Sequence, residues 1–131
     1  MTEKAFKKRL KNLTKEYELL ITEPNKKIKP GNGIFHRYKN PVLTGSHAPL
    51  SWKYDLNYKT NPFLMERMGV NSAFNAGAIE LDGKICLVAR VEGADRKSFF
   101  AVAESENGVD NFRFRDYPVE MPQTDEPDVN V

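Results

Sequence analysis

Cysteine and histidine are nearly absent from this 131-residue chain, which holds one cysteine, Cys86, and two histidines, His36 and His47. A single thiol excludes an internal disulfide framework and fits a reducing compartment, the cytoplasm. Cys86 lies among Ile85, Leu87 and Val88, so it reads as a buried structural thiol rather than a nucleophile. The two histidines are far apart, with no Cys or His at ligand spacing, and no metal site is expected. Long apolar runs are missing too. Nothing approaches the roughly 20 residues needed to span a bilayer. Lys4, Lys7, Lys8 and Arg9 are followed by no apolar segment of the kind a secretory leader requires. There is also no Gly-rich phosphate loop, Walker string or Gly-x-Ser-x-Gly elbow, which removes the common nucleotide-binding and hydrolase motifs.

What is present is an ordinary globular composition, 40% hydrophobic and 29% charged, enough to bury one modest core. The net charge of +2 hides an uneven spread. Residues 1–60 carry 13 basic and 5 acidic side chains, a balance of +8, and residues 61–131 carry 7 and 13, a balance of −6. A basic half is one signature of nucleic-acid binding. Here Phe6, Leu10, Leu13, Tyr17, Leu20 and Ile21 recur at helical spacing, which makes the intervening lysines the solvated face of an amphipathic helix. No aromatic-and-basic motif accompanies the charge, so no nucleic-acid partner is expected. The helix is predicted from about Glu3 to Leu20, with Thr2 as N-cap, ending before Pro24.

Residues 1–22 thus form a helical extension. Residues 23–70 begin with a polar linker, Glu23 to Gly33, strong in turn chemistry. They continue as an irregular segment rich in aromatics: Phe35, Tyr38, Trp52, Tyr54, Tyr58 and Phe63. Within it, Ile34–Tyr38 and Val42–Leu43 are candidate short strands. A loop this long in a compact domain is functional or packed against something else. Residues 117–131 make an acidic, proline-containing end, with no basic residue after Arg115.

Between these lies the most regular part, residues 71–116. Asn75 to Leu81 alternates, and Asp82-Gly83 is a tight-hairpin dipeptide. Lys84 to Val91 is a near-continuous apolar run, as expected of a strand covered on both faces. Ser98 to Glu104 is a third strand, Asn107-Gly108 a second turn signal, and Phe112-Arg113-Phe114-Arg115 a fourth strand of period two. Four short strands joined by tight turns match one blade of a β-propeller. Arg90 stands out, because a guanidinium at the end of a buried strand is costly unless something polar or anionic meets it. One blade cannot hide its own faces, and no second copy of the pattern occurs in the chain. Two readings follow: the N-terminal piece of a longer propeller, or a complete small module, non-catalytic, that binds carbohydrate or another partner.

Specific strings decide between them. Arg37 to Thr44 (RYKNPVLT), Asn61 to Arg67 (NPFLMER), Asn75 to Ala78 (NAGA) and Arg90 to Ser98 (RVEGADRKS) resemble the opening of the mannoside phosphorylases of glycoside hydrolase family 130. The similarity runs from Ile34 onward and more loosely through the helix. It implies a mainly β fold: the first blade, with part of another, of a five-bladed β-propeller behind an N-terminal amphipathic helix. It further implies a cytoplasmic enzyme, a homo-oligomer when full length. Its substrates would be a β-1,4-mannosyl-glucose disaccharide and inorganic phosphate, the latter a co-substrate, with no other cofactor.

Inverting phosphorolysis needs an acid for the leaving oxygen, a cationic clamp for phosphate and donors that hold the sugar. The resemblance implies that the acid is an aspartate in a Val-x-Asp-x-Arg-type string following an Asn-Val pair. That pair is Asn130-Val131 here, so the aspartate is expected beyond Val131, the phosphate residues further on, and no catalytic residue within the chain. Asp128 does not match the family position and reads as part of the acidic end. What the resemblance does place here are substrate-binding residues: Asn75, Arg90 and Arg96. Each has a structural alternative. Asn75 caps a strand end, Arg90 pairs with Glu92 or Glu80, and Arg96 with Asp95 forms a solvated loop pair.

Overall fold

The computed structural model describes residues 1–29, 31–120, 122 and 125. Helix α1 spans Glu3–Ile21, and the Thr2 hydroxyl accepts from the Ala5 N–H at 3.2 Å, as the sequence predicts. Such a cap satisfies one of the four amides that a helix start leaves without an internal partner. Phe6 and Ile21 bury the inward stripe, while Lys4, Lys7, Lys8, Lys11 and Lys15 stay exposed. At the far end, Arg113 grips Glu18 through two hydrogen bonds of 3.0 and 3.1 Å. The pair is exposed, so it orients the helix more than it stabilises it.

Two-residue strands β1 (Lys27–Ile28) and β2 (Arg37–Tyr38) pair antiparallel, and a 3-10 turn at Gly45–His47 leads into a short helix, α2 (Leu50–Lys53). The predicted strand at Val42–Leu43 does not form. Both side chains instead pack against the main core, which is what claims them. The 3-10 turn lies close on the sheet: a Cβ at Gly45 would sit 3.1 Å from the backbone of Asn71 and Ser72. Any side chain there would have to push that backbone back by a few tenths of an ångström.

The main sheet is a meander of β3 (Val70–Leu81), β4 (Lys84–Gly93), β5 (Ser98–Ser105) and β6 (Arg113–Phe114), in that order and antiparallel throughout. Asp82 and Gly83 both take positive φ, 52° and 76°, the two-residue turn that Asp-Gly favours. β3 starts five residues earlier than the Asn75 expected, and β6 is shorter. The fold is thus mainly β, with one long N-terminal helix.

Burial corrects one expectation. Strand β4 is packed into the core along one face, while the other is buried at Cys86 and open at Val88 and Arg90. Leu87, Ala89 and Val91 point inward and join Ala101, Ala103, Phe112 and Phe114 in the core. Trp52 closes this face, edge-on to Phe99 and tilted on Phe114, each at 5.4 Å between centroids. Its indole N–H donates to the Asp116 carbonyl at 2.8 Å. The three alanines are what let the large rings approach the sheet. On the opposite face Ile79, Val88 and Phe100 remain 60%, 40% and 50% exposed. An apolar strand run therefore marks here a sheet with one face packed and one still uncovered, and not two covered faces.

The polar linker hides a clip that composition does not announce. Buried Asn25 donates from Nδ2 to the carbonyls of Asn40 (2.8 Å) and Val109 (3.0 Å), and its Oδ1 accepts from the Asn40 N–H (2.9 Å). Its own N–H donates to Asp110 at 2.9 Å, a bond that holds the Asp110 carboxyl below the usual carboxylate range. One side chain thus ties the linker to the β5–β6 connection. Replacing it strands partners that have lost their solvent. Asn25→Ala is expected to cost about 2–3 kcal/mol in denaturant unfolding of the native protein. A loss below about 0.5 kcal/mol, the range of ordinary surface changes, would show that water takes over its bonds.

Candidate functional site

Asn75, Arg90 and Arg96 are all exposed, so the buried guanidinium expected of Arg90 is not found. The reason is the one-sided sheet: Arg90 belongs to the uncovered face, alternating with inward Ala89 and Val91. Its cross-strand partners are Phe74 on β3 and Phe100 on β5. The Nε–H donates to Ser98 Oγ at 3.0 Å, and the guanidinium lies 5.2 Å from the Phe74 ring centroid. Among the described residues Arg90 makes no ion pair, so the alternative of a structural bridge to Glu92 or Glu80 does not hold.

Asn75 sits inside β3, not at its end, so it is no strand cap. Phe74 pairs with Arg90 and Gly77 with Val88, leaving Asn75 and Ala76 opposite Ala89 alone. This is a β-bulge, and Asn75 takes the left-handed conformation it needs, φ 52°. Asn tolerates that region better than most residues. The bulge breaks the strict alternation of β3 next to the Phe74–Arg90 pair, bringing the Asn75 amide and the Arg90 guanidinium to one part of the sheet.

Arg96 is in the β4–β5 turn, also left-handed at φ 64°. Its N–H donates to Gly93 and the Gly93 N–H donates to Lys97, both at 3.0 Å. Asp95 accepts from the Lys97 N–H at 3.0 Å, so its carboxylate serves the turn and forms no ion pair with Arg96 among the described residues. The turn is anchored to the start of β3 by Ala94 N–H donating to Gly69 at 2.8 Å. The structure thus places Asn75 next to Arg90's cross-strand partner Phe74 and sets Arg96 in the turn that follows β4. Phe74 and Ser98, which sequence reasoning passed over, complete the group. Counting outward from the 93–97 turn pairs Glu92 with Ser98 and Arg90 with Phe100, so period two alone could have found the serine. Asp128 lies outside the described residues.

A second polar cluster surrounds a cavity of about 150 Å³ between the end of α1, the 40–47 segment and the β5–β6 connection. His47, 8% exposed, lines it together with Asn25, Thr44 and Asp110. Its Nδ1 accepts from the Thr44 N–H at 3.0 Å and meets the Thr44 hydroxyl at 2.9 Å, so the neutral ring carries its proton on Nε2. The His47 carbonyl accepts from Tyr17 Oη at 3.0 Å, joining the turn to α1. Burial pulls the His47 pKa down. Among the described residues no group of three or more His, Cys, Asp or Glu is placed to hold a metal, and no helix is long and apolar enough to cross a membrane.

No protein-family model matches the chain. Among curated proteins it is similar to the 4-O-beta-D-mannosyl-D-glucose phosphorylase of Bacteroides fragilis. The two are 55% identical over 126 residues, 96% of this chain and 32% of that protein. This chain is a relative of that phosphorylase. It spans about a third of the relative's length. The resemblance seen in the quoted strings therefore holds along nearly the whole chain, the helix included.

His47 generates a pH dependence whose direction is fixed. With its folded pKa below the ordinary value near 6.5, the unfolded state binds more protons in the window beneath that value. The contribution is fully present above about pH 6.5 and is lost as pH falls through the window to the depressed folded pKa. Thermal midpoints of native protein and His47→Asn, taken from pH 8 to 5, should converge as pH falls. A constant gap would show that folding does not lower the pKa of the ring.

Proposed function

We propose that this chain supplies the opening blade and the sugar-holding side chains of a five-bladed propeller phosphorylase. That enzyme splits β-1,4-mannosyl-glucose with inorganic phosphate, giving mannose 1-phosphate and glucose. The observation that carries the reading is the 55% identity along 126 residues to a mannosylglucose phosphorylase. The fold supports it. A four-stranded meander is the topology of a blade, and its uncovered apolar face is what a neighbouring sheet would bury.

In the proposed reaction phosphate attacks the mannose anomeric carbon from the face opposite the leaving group. The bond from that carbon to the glucose O4 breaks, and a protonated carboxyl delivers its proton to the departing oxygen. Phosphate is consumed as a substrate, and no further cofactor takes part. The Asn75 amide offers two donors and an acceptor to sugar hydroxyls, and Arg90 and Arg96 offer planar donor forks. These groups hold the mannose and do not move the proton. The Val-x-Asp-x-Arg string of the family's acid does not occur within the 131 residues. The acid and the phosphate clamp are accordingly assigned to a longer polypeptide, cytoplasmic and homo-oligomeric.

Two measurements test the reading. The 131-residue chain alone is expected to release no mannose 1-phosphate from mannosyl-glucose and phosphate, and turnover would place the acid within it after all. In the full-length native protein, Arg90→Lys keeps the charge but loses the fork. It should cost roughly 2–4 kcal/mol in kcat/KM with little change in melting temperature. A fallen melting temperature with near-normal kinetics would make Arg90 a structural residue instead.

A further inference from the structure

Arg90 is held more tightly than its exposure suggests, and the way it is held determines which of its donors are free. The Nε–H is spent on Ser98 Oγ at 3.0 Å. One face of the guanidinium is covered by the Phe74 ring, 5.2 Å away. Both partners come from neighbouring strands whose register is fixed: Phe74 lies directly across from Arg90, and Ser98 sits two residues from its other partner, Phe100. A guanidinium presents one donor pair through Nε and an adjacent Nη, and a second through the two Nη atoms. Ser98 closes the first. Only the second remains, and Phe74 fixes its plane.

We infer that Ser98 and Phe74 are positioning residues that orient the Arg90 guanidinium so that its two Nη groups meet a pair of adjacent hydroxyls on the bound sugar. The inference rests on the sugar-binding reading of Arg90. A free arginine side chain loses several rotatable bonds of freedom when it engages a ligand, a cost that a pre-set fork avoids. A misaligned fork also loses the geometry on which transition-state contacts depend. The Ser98 hydroxyl, accepting from Nε, keeps its own hydrogen free to donate onward. Its role toward Arg90 therefore needs only its oxygen, which threonine also supplies.

The experiment uses the full-length native protein and steady-state phosphorolysis of mannosyl-glucose. Ser98→Ala and Phe74→Leu should each lower kcat/KM about tenfold, the scale of one lost orienting contact. Melting temperatures should move little, since neither side chain belongs to the packed core of the sheet. Ser98→Thr should recover most of the loss. The discriminating measurement is Ser98→Ala made in the Arg90→Lys background. Lysine has no Nε–H to be oriented, so the serine change should there cost almost nothing further. Full activity of Ser98→Ala beside a crippled Arg90→Lys would overturn this inference and leave the sugar-binding reading standing. The same tenfold loss in both backgrounds would also overturn it, because Ser98 would then act without Arg90. Full activity of Arg90→Lys would instead sink the sugar-binding reading itself.

Discussion

Everything in this structure depends on one face of one sheet being filled by side chains from outside its central strands. Strands β4 and β5 present alanines, Ala89, Ala101 and Ala103, where a self-sufficient sheet would carry large side chains. The space above them is taken by Trp52, Val42 and Leu43 from the irregular segment, by Phe112 just before β6 and by Phe114 within it. Volume is exchanged between the sheet and the loop. Val42, Leu43 and Trp52 are therefore held by burial, while the stretch around Asn61 is held by its side-chain bonds to the backbone of Asp55 and Met65. The same packing aims the sheet. With the inward face occupied, Arg90 and its neighbours have only the other side to occupy.

That division accounts for where sequence reasoning succeeded and where it did not. The helix, its Thr2 cap, the Asp82-Gly83 turn and the order of four strands follow from local rules, because propensity, period and turn chemistry act within a few residues. The misreadings are non-local. Val42–Leu43 has the composition of a strand, but the core takes its side chains and no strand pairs with its backbone. Strand β4 has the composition of a doubly covered strand, and nothing in its own residues says that Val88 and Arg90 lie on an uncovered side. The Asn25 clip joins segments more than eighty residues apart, a separation at which no periodicity reports.

The candidate site was legible in a different way. Asn75, Arg90 and Arg96 come from resemblance, and resemblance names residues without saying what holds them. The geometry supplies that. Two of the three, Asn75 and Arg96, lie at positive φ, in conformations that cost a non-glycine residue free energy and persist only where the surrounding structure imposes them. Their backbones are held by the β3 bulge and by the 93–97 turn. The third is held through its side chain, by Ser98 and Phe74. Each of the three residues thus has a separate local constraint.

Asn75 shows why a residue at such a position is hard to exchange. The bulge demands a left-handed residue, and glycine would satisfy that demand with less strain. Glycine would also leave the site without an amide. Asparagine meets both needs, since it tolerates positive φ and brings two donors and an acceptor. The bulge, in turn, is what breaks the alternation of β3 beside Arg90. If the same residues paired regularly through Asn75, each side chain beyond it would move one place along β4 and change faces, Gly77 and Ile79 included, because strand period is two. The bulge therefore sets Asn75 next to the Phe74–Arg90 pair and at the same time decides which apolar residues of β3 stay on the uncovered face. Polar site and apolar surface are two consequences of a single inserted residue.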